Sequence, residues 1–288
     1  FQENLRDLLL GYPAGPIAVL GVDPSHRAES TLVVIDEAGK FQAAATAQLS
    51  ESGDGAGGNG ARARALLREL ILRHNVRAVA VGHAPGAREA DLFVRAFLRD
   101  EKAGEPRLEN VSSTVVSEAG ASGYALRLGK EEFPELDPSA RRAVTIARRL
   151  QDPLGALVRI EPDGIGVGQY HHEVDQKKLR ERLRATVMSC VNRVGADLNT
   201  VSLEVLQNIA GLNERLAKRV LEFRQASGGF TSRSQIKDVP GFPAWAFEQS
   251  AGFLRVCGGS NPLDRTGVHP ESYPVVESMA ASLGVSTG

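Results

Sequence analysis

The sequence predicts two parts of different class, an α/β part followed by an all-α part. Over residues 17–150 short strand-like apolar runs alternate with amphipathic helical segments. From Asp175 onward the apolar residues fall at helical spacing. Near residues 209–213 and 239–243 the same short glycine-containing turn occurs twice between helical stretches.

The opening F-Q-E-N-L-R-D-L-L-L reads as a helix, broken by the glycines and prolines of 11–16. Residues 17–23 read as a buried strand that Asp23-Pro24-Ser25 stops, and 30–36 and 41–47 as two further strands around the turn Glu37-Ala38-Gly39-Lys40. The glycine-rich stretch 51–60 lacks the G-K-[ST] of a phosphate loop and is expected to be a mobile loop. A helix follows over 61–74, with Leu66, Leu67, Leu70 and Ile71 on one face. Next come a strand at 76–82, a helix at 87–100, a strand at 111–117 and a helix at 138–150. Three strands, helix, strand, helix, strand and helices is the ribonuclease-H-like order, a mixed sheet with flanking helices.

In the second part Leu179, Leu183, Val187, Val191 and Val194 mark one buried stripe, and Lys177, Lys178, Arg180, Arg182 and Arg184 lie opposite. Asn199 or Thr200 is expected to cap a helix carrying Leu203 and Leu206. Ile209-Ala210-Gly211-Leu212 then reads as a tight helical hairpin, repeated at Val239-Pro240-Gly241-Phe242. The expected organisation is a lead-in helix at 1–16, an α/β domain at 17–160, a connecting segment and helix at 161–194, a tandem hairpin domain at 195–257 and a C-terminal extension at 258–288.

Composition narrows the function. With 34 Lys+Arg against 35 Asp+Glu the chain is nearly neutral, so any nucleic-acid site is a local patch rather than a basic surface. Two cysteines, Cys190 and Cys257, cannot build a disulfide framework or a cysteine zinc site, and both are expected to be buried thiols. There is no membrane-length apolar run and no signal peptide, so a soluble cytoplasmic protein is expected, one that opens inside a helix like a piece of a longer chain. Adjacent residues of a strand or helix point in different directions, so His171 and His172 are expected to be linker rather than metal ligands.

The second part resembles the tandem helix-hairpin-helix module of competence protein ComEA and its relatives. That resemblance implies sequence-independent phosphate contact through hairpin N–H groups and the following helix N-terminus. The candidate residues are Gly211, Leu212, Asn213, Arg215, Lys218, Arg219 and Gly241. The usual Gly-x-Gly departs to Asn213 in the first hairpin and Pro243 in the second, and Pro243 has no N–H to donate. Trp245 stands where a basic residue is common.

Longer blocks widen the resemblance. V-V-S-E-A-G-A-S-G-Y, A-V-T-I-A-R-R-L-Q-D-P-L, I-G-V-G-Q-Y-H-H-E-V and G-G-S-N-P-L-D-R-T-G-V-H-P-E-S-Y-P-V-V-E are similar to the Tex family of bacterial transcription accessory proteins. The resemblance implies that 17–150 form a YqgF-like domain of ribonuclease-H-like fold. Active enzymes of that fold hold two divalent metals on carboxylates from separate strands and a helix. Asp23 and Glu118 match two of those positions and are the candidate metal ligands, whereas Ser139 matches the third and Asp137, two residues off, is the nearest acid. The family's Asp-Pro-Gly turn has become Asp23-Pro24-Ser25, and its following R-T-G has become Arg27-Ala28-Glu29.

The expected function is a non-catalytic nucleic-acid-binding core of a transcription accessory protein, with nucleic acid and transcription machinery as partners, no membrane and no cofactor. One alternative is a metal-dependent nuclease or resolvase using Asp23, Glu118 and Asp137 with Mg²⁺ or Mn²⁺. Another is a protein-interaction scaffold that has lost nucleic-acid binding.

Overall fold

The computed structural model describes residues 1–25, 29–49 and 58–287. Most of the expected glycine-rich loop, and Arg27 and Ala28 of the altered turn, lie outside the described residues. The chain divides into two compact units, one of Asp7–Val174 and one of Phe1–Arg6 with Asp175–Gly288. Helix α1 (Gln2–Leu9) begins the chain, and its first residues group with the helical unit, where Gln2 Nε2 donates to Thr186 Oγ1 at 3.3 Å.

In the α/β unit a five-stranded sheet has the order β3-β2-β1-β4-β5. Strand β1 (Val19–Asp23) is antiparallel to β2 (Ser30–Ile35), which is antiparallel to β3 (Phe41–Ala47). On its other side β1 is parallel to β4 (Ala78–Gly82), and β4 is parallel to β5 (Ser112–Val116). This is the mixed, ribonuclease-H-like sheet the sequence predicts. β1, β2 and β4 are buried throughout and read as unbroken apolar runs, whereas β3 at the edge alternates between partly buried and exposed residues. Asp36 Oδ1 accepts from the amides of Ala38 and Lys40, both at 2.9 Å, and so forms the β2–β3 turn. The two parallel pairings need crossovers, which α2 (Asn59–Arg73) and α3 (Ala87–Glu101) supply.

Successive strand residues face opposite sides, so the sheet buries two cores. Leu20, Val22, Val79 and Val81 meet Leu67, Leu70 and Ile71 of α2 and Phe93, Val94 and Phe97 of α3 on one side. Val19, Val33, Ile35, Ala78 and Ala80 meet α6 (Pro138–Gln151) on the other. The short helices α4 (Ala121–Leu126) and α5 (Leu128–Glu132) lead into α6, and α7 (Pro153–Val158) follows it. The face of α6 turned to the sheet carries Ala140, Ala143 and Ala147, which lets the helix lie against β1. A Cβ at Gly21 would fall 2.2 Å from the Ala143 carbonyl oxygen, so only glycine fits there. The segment expected as a connector divides: residues up to Val174, including the short turn His171–Glu173, belong to the α/β unit.

The helical unit starts with α8 (Gln176–Val194), capped by the Asp175 carboxylate on the Lys177 and Lys178 amides. It buries Leu179, Leu183, Val187 and Val191 as the stripe predicts, but Val194 is 54% exposed because the helix ends there at Gly195. Cys190 is buried, whereas Cys257, expected to be buried, is exposed beside the Asp197 carboxylate, whose Oδ2 accepts from the Cys257 amide at 3.3 Å. Strand β6 (Ala196–Asp197) pairs in parallel with β7 (Leu254–Arg255) and joins the two ends of the hairpin module. Within it lie α9 (Leu203–Leu206), α10 (Glu214–Ser227) and α11 (Ala244–Ser250). Ser202, not Asn199 or Thr200, caps α9. Asn199 instead accepts from the Phe230 amide at 2.7 Å and donates to the Phe230 carbonyl at 2.9 Å. The unit closes with α12 (Tyr273–Leu283). No helix among the described residues is long and apolar enough to cross a membrane.

Arg233 anchors the last third of this unit. Its side chain is fully buried and donates to the carbonyls of Ala251, Leu263, Asp264, Thr266 and Val268 at 2.7–3.1 Å. The Arg233 amide donates to Asp264 Oδ2 at 2.9 Å, and the Tyr273 hydroxyl donates to Oδ1 at 2.7 Å. The block N-P-L-D-R-T-G-V-H-P thus wraps one guanidinium. Arg233→Met, of similar length, leaves those carbonyls and Asp264 without their cation and is expected to cost about 3–5 kcal/mol. Thermal unfolding followed by the fluorescence of Trp245, the chain's single tryptophan, measures the loss in this unit.

Candidate functional site

In the α/β unit the carboxyl ends of β1, β4 and β5 open into a cleft of about 560 Å³, lined by Asp23, Ser25, Glu118, Ser122 and Arg142 among others. Ligand sites of open α/β sheets form at this edge. Asp23 ends β1 and is 6% exposed. Arg142, on the second turn of α6, sends Nε (3.1 Å) and Nη2 (2.7 Å) to the same Asp23 oxygen, Oδ2. That Nη2 also lies 2.9 Å from Ser139 Oγ. The charge of Arg142 further faces Glu118 and Asp137, and the Asp23 hydrogen bond above all raises its own pKa.

Glu118 follows β5 in a loop gripped by Arg149, whose Nη1 and Nη2 donate to the carbonyls on either side, Ser117 and Ala119. Burial, and then the nearby Asp23 charge, push the Glu118 carboxyl above its ordinary value, against the opposing pull of Arg142, His83 and Arg149. Burial likewise pulls the Arg149 guanidinium down to about 10. Sequence reasoning gave no role to Arg142 or to Arg149, although Arg149 lies in the block A-V-T-I-A-R-R-L-Q-D-P-L.

Asp137, the nearest acid to the third carboxylate position, is exposed and caps α6, accepting from the amides of Ser139 (2.7 Å) and Ala140 (2.9 Å). Among the described residues no three His, Cys, Asp or Glu side chains gather to hold a metal ion. One oxygen of Asp23 already faces a guanidinium, and the third position offers a hydroxyl. This donor set does not fit a two-metal centre.

The first hairpin of the helical unit turns at Gly211, whose φ of 82° other residues resist. Leu212 N–H donates to the Ile209 carbonyl at 3.0 Å and closes the turn. Asn213 then caps α10 by accepting from the Leu216 amide at 2.9 Å. Asn213, where the usual pattern has glycine, therefore supplies a cap, and Arg215 is exposed in the first turn of α10. Lys218 pairs with Glu214 at 2.6 Å, and Arg219 Nη1 donates to the Gly241 carbonyl of the second hairpin at 3.2 Å. A Cβ at Gly211 would lie 2.7 Å from Gln249 Cβ on α11, so the two hairpins are packed on one another. Pro243 is the N-cap of α11, and Trp245 is 55% exposed in its first turn.

A sheet of this order joined to paired helical hairpins defines a nuclease-like scaffold carrying a helix-hairpin-helix module. Residues 17–151 match the Tex protein YqgF-like domain, 191–255 the helix-hairpin-helix motif, and 261–288, read from sequence only as an extension, an HHH domain. The chain is 44% identical over 287 residues to the transcriptional accessory protein Tex of Neisseria gonorrhoeae, covering 99% of this chain and 36% of that protein. It is 46% identical over 284 residues to Protein tex of Bordetella pertussis, covering 98% of this chain and 35% of that protein. It is 33% identical over 338 residues to the human S1 RNA-binding domain-containing protein 1, covering 99% of this chain and 33% of that protein. Residues 17–151 belong to the Tex YqgF-like domain family, and the chain spans about a third of the length of the curated relatives it matches.

A carboxyl whose pKa is raised on folding binds its proton more tightly in the folded state, so its ionisation costs stability once pH rises above the ordinary value of 4.5. Glu118→Gln is therefore expected to raise the melting temperature of the α/β unit at pH 7. The gain disappears as pH falls below 4.5, which paired melts of variant and parent across pH 3–7 would show.

Proposed function

We propose that this chain is the nucleic-acid-gripping core of a cytoplasmic transcription accessory factor of the Tex type. The observation that carries the reading is the first hairpin. A left-handed glycine and an Asn-capped helix of 14 residues place the exposed Arg215 at one helix N-terminus. Such an end is an anion site, and its contacts go to phosphate rather than to bases. The second hairpin serves the first: its Gly241 carbonyl fixes Arg219, and its proline cap removes a donor. The nuclease-like cleft is non-catalytic and needs no Mg²⁺ or Mn²⁺, since Asp23 is committed to Arg142 and Asp137 to a helix cap. The names of relatives agree: two are called Tex or transcriptional accessory protein, and one carries an S1 RNA-binding domain in its name.

The test is an anisotropy titration with labelled single- and double-stranded DNA and RNA at two salt concentrations, with Mg²⁺ and Mn²⁺ present and the products run on a denaturing gel. Salt-sensitive binding of intact substrate is expected. Arg215→Ala should weaken it for every sequence and lower the salt slope by about 1. Lys218→Ala, already paired with Glu214, should cost less. Binding that ignores Arg215→Ala sinks the hairpin assignment, absence of binding favours a protein scaffold, and cleavage lost in Asp23→Asn makes the cleft a nuclease.

A further inference from the structure

In the cleft, a cation already sits among the acids. We propose that the Arg142 guanidinium is the permanent cation of this cleft, standing where a divalent ion would bridge Asp23 and its neighbours and closing that position to metal. The inference rests on the non-catalytic reading of the cleft and names the residue responsible for it.

Three features of the structure carry it. Two N–H groups of Arg142 converge on one Asp23 oxygen, Oδ2, at 2.7 and 3.1 Å. The same guanidinium holds Ser139 Oγ at 2.9 Å and faces the charges of Glu118 and Asp137, so one cation serves four oxygen-bearing side chains drawn from β1, the loop after β5 and the start of α6. A hard divalent ion asks for the same oxygens. The arginine is also held in place. It precedes Ala143, whose carbonyl lies so near β1 that a Cβ on Gly21 would fall 2.2 Å from it, and this contact fixes the helix against the strand. Metal and guanidinium therefore compete for the same Asp23 oxygen, and the helix that carries the guanidinium is fixed against β1. Removing it leaves Asp23, 6% exposed, without a counter-charge.

The experiment measures Mn²⁺ binding by the fall in the EPR signal of the free ion. It compares the chain as described with Ser139→Asp and with the double variant Ser139→Asp, Arg142→Ala. Circular dichroism melts check that each is folded. The parent is expected to show no binding that depends on Asp23. The double variant should bind at least about tenfold more tightly than Ser139→Asp alone, since the competing guanidinium has gone. Asp23→Asn in the double background should abolish the gain. Saturable parent binding that Asp23→Asn removes would overturn the proposal. Equal affinity for single and double variants, or a folded double variant with no gain, would overturn it too. These outcomes stand apart from the fate of the non-catalytic reading. Parent binding without cleavage refutes the role of Arg142 alone, whereas parent cleavage lost in Asp23→Asn refutes the reading beneath it.

Discussion

Helix α6 lies so close to β1 that the Ala143 carbonyl occupies the space a side chain at Gly21 would need. Interiors are packed like crystals, and a helix seated on backbone cannot slide or rotate by a fraction of a residue without overlap. That fixed seat gives meaning to every polar residue along the helix. Arg141 reaches the carbonyls of Ala125, Phe133 and Pro134, and Arg142 reaches Asp23. Arg148 reaches the Gly39 carbonyl and Glu132, and Arg149 the carbonyls beside Glu118. Gln151 reaches the carbonyls of Ile17 and Asp36. One small-residue contact thus sets the sheet's hairpin turn, the loop after β5 and the cleft in mutual register.

The charges involved are held rather than solvated. Burial alone would raise the Glu132 carboxyl. Hydrogen bonds from Arg148 and the Tyr124 hydroxyl, with the charges of Arg148 and Arg159, overcome it and bring the group to about 2. Glu118 goes the other way because its strongest influences, burial and Asp23, both oppose ionisation. Two carboxylates near the same helix therefore shift in opposite directions, and the difference is whether donors point at the oxygens.

Most of the fold was legible in the residues. The runs that became β1, β2 and β4 are apolar throughout, and the stripes of α2 and α8 repeat at helical spacing, so period and length identify them without tertiary information. Gly211 and Gly241 announce their hairpins because few other residues take a left-handed turn. What stayed hidden were side chains whose role is set by long-range partners. Arg142 meets an acid 119 positions away, and Arg233 meets carbonyls 18–35 positions away. Neither stands out from the surface arginines around it. Asp137 misled for a related reason: a carboxylate just before Pro138 at a helix start is read equally well as a ligand or as a cap, and only its contacts with the Ser139 and Ala140 amides decide. Local alternatives likewise moved the α9 cap to Ser202.

The inward use of arginine bears on how this protein meets an anion. The chain has 34 Lys+Arg for 35 acids, which suggests little spare charge of either sign. The arginines at 141, 142, 148, 149, 219, 224, 233 and 255 all donate to groups of the protein itself. Engaged guanidiniums cannot release counterions from a phosphate chain without first losing those partners. Phosphate contact then falls to the remaining cations, among them the exposed Lys177, Lys178 and Arg182 of α8, and to backbone amides at a helix N-terminus, which carry no counterion and lose no side-chain entropy on contact. At the Gly211 hairpin Asn213 caps the helix that carries the exposed Arg215, and the neighbouring Arg219 is turned away to brace the second hairpin.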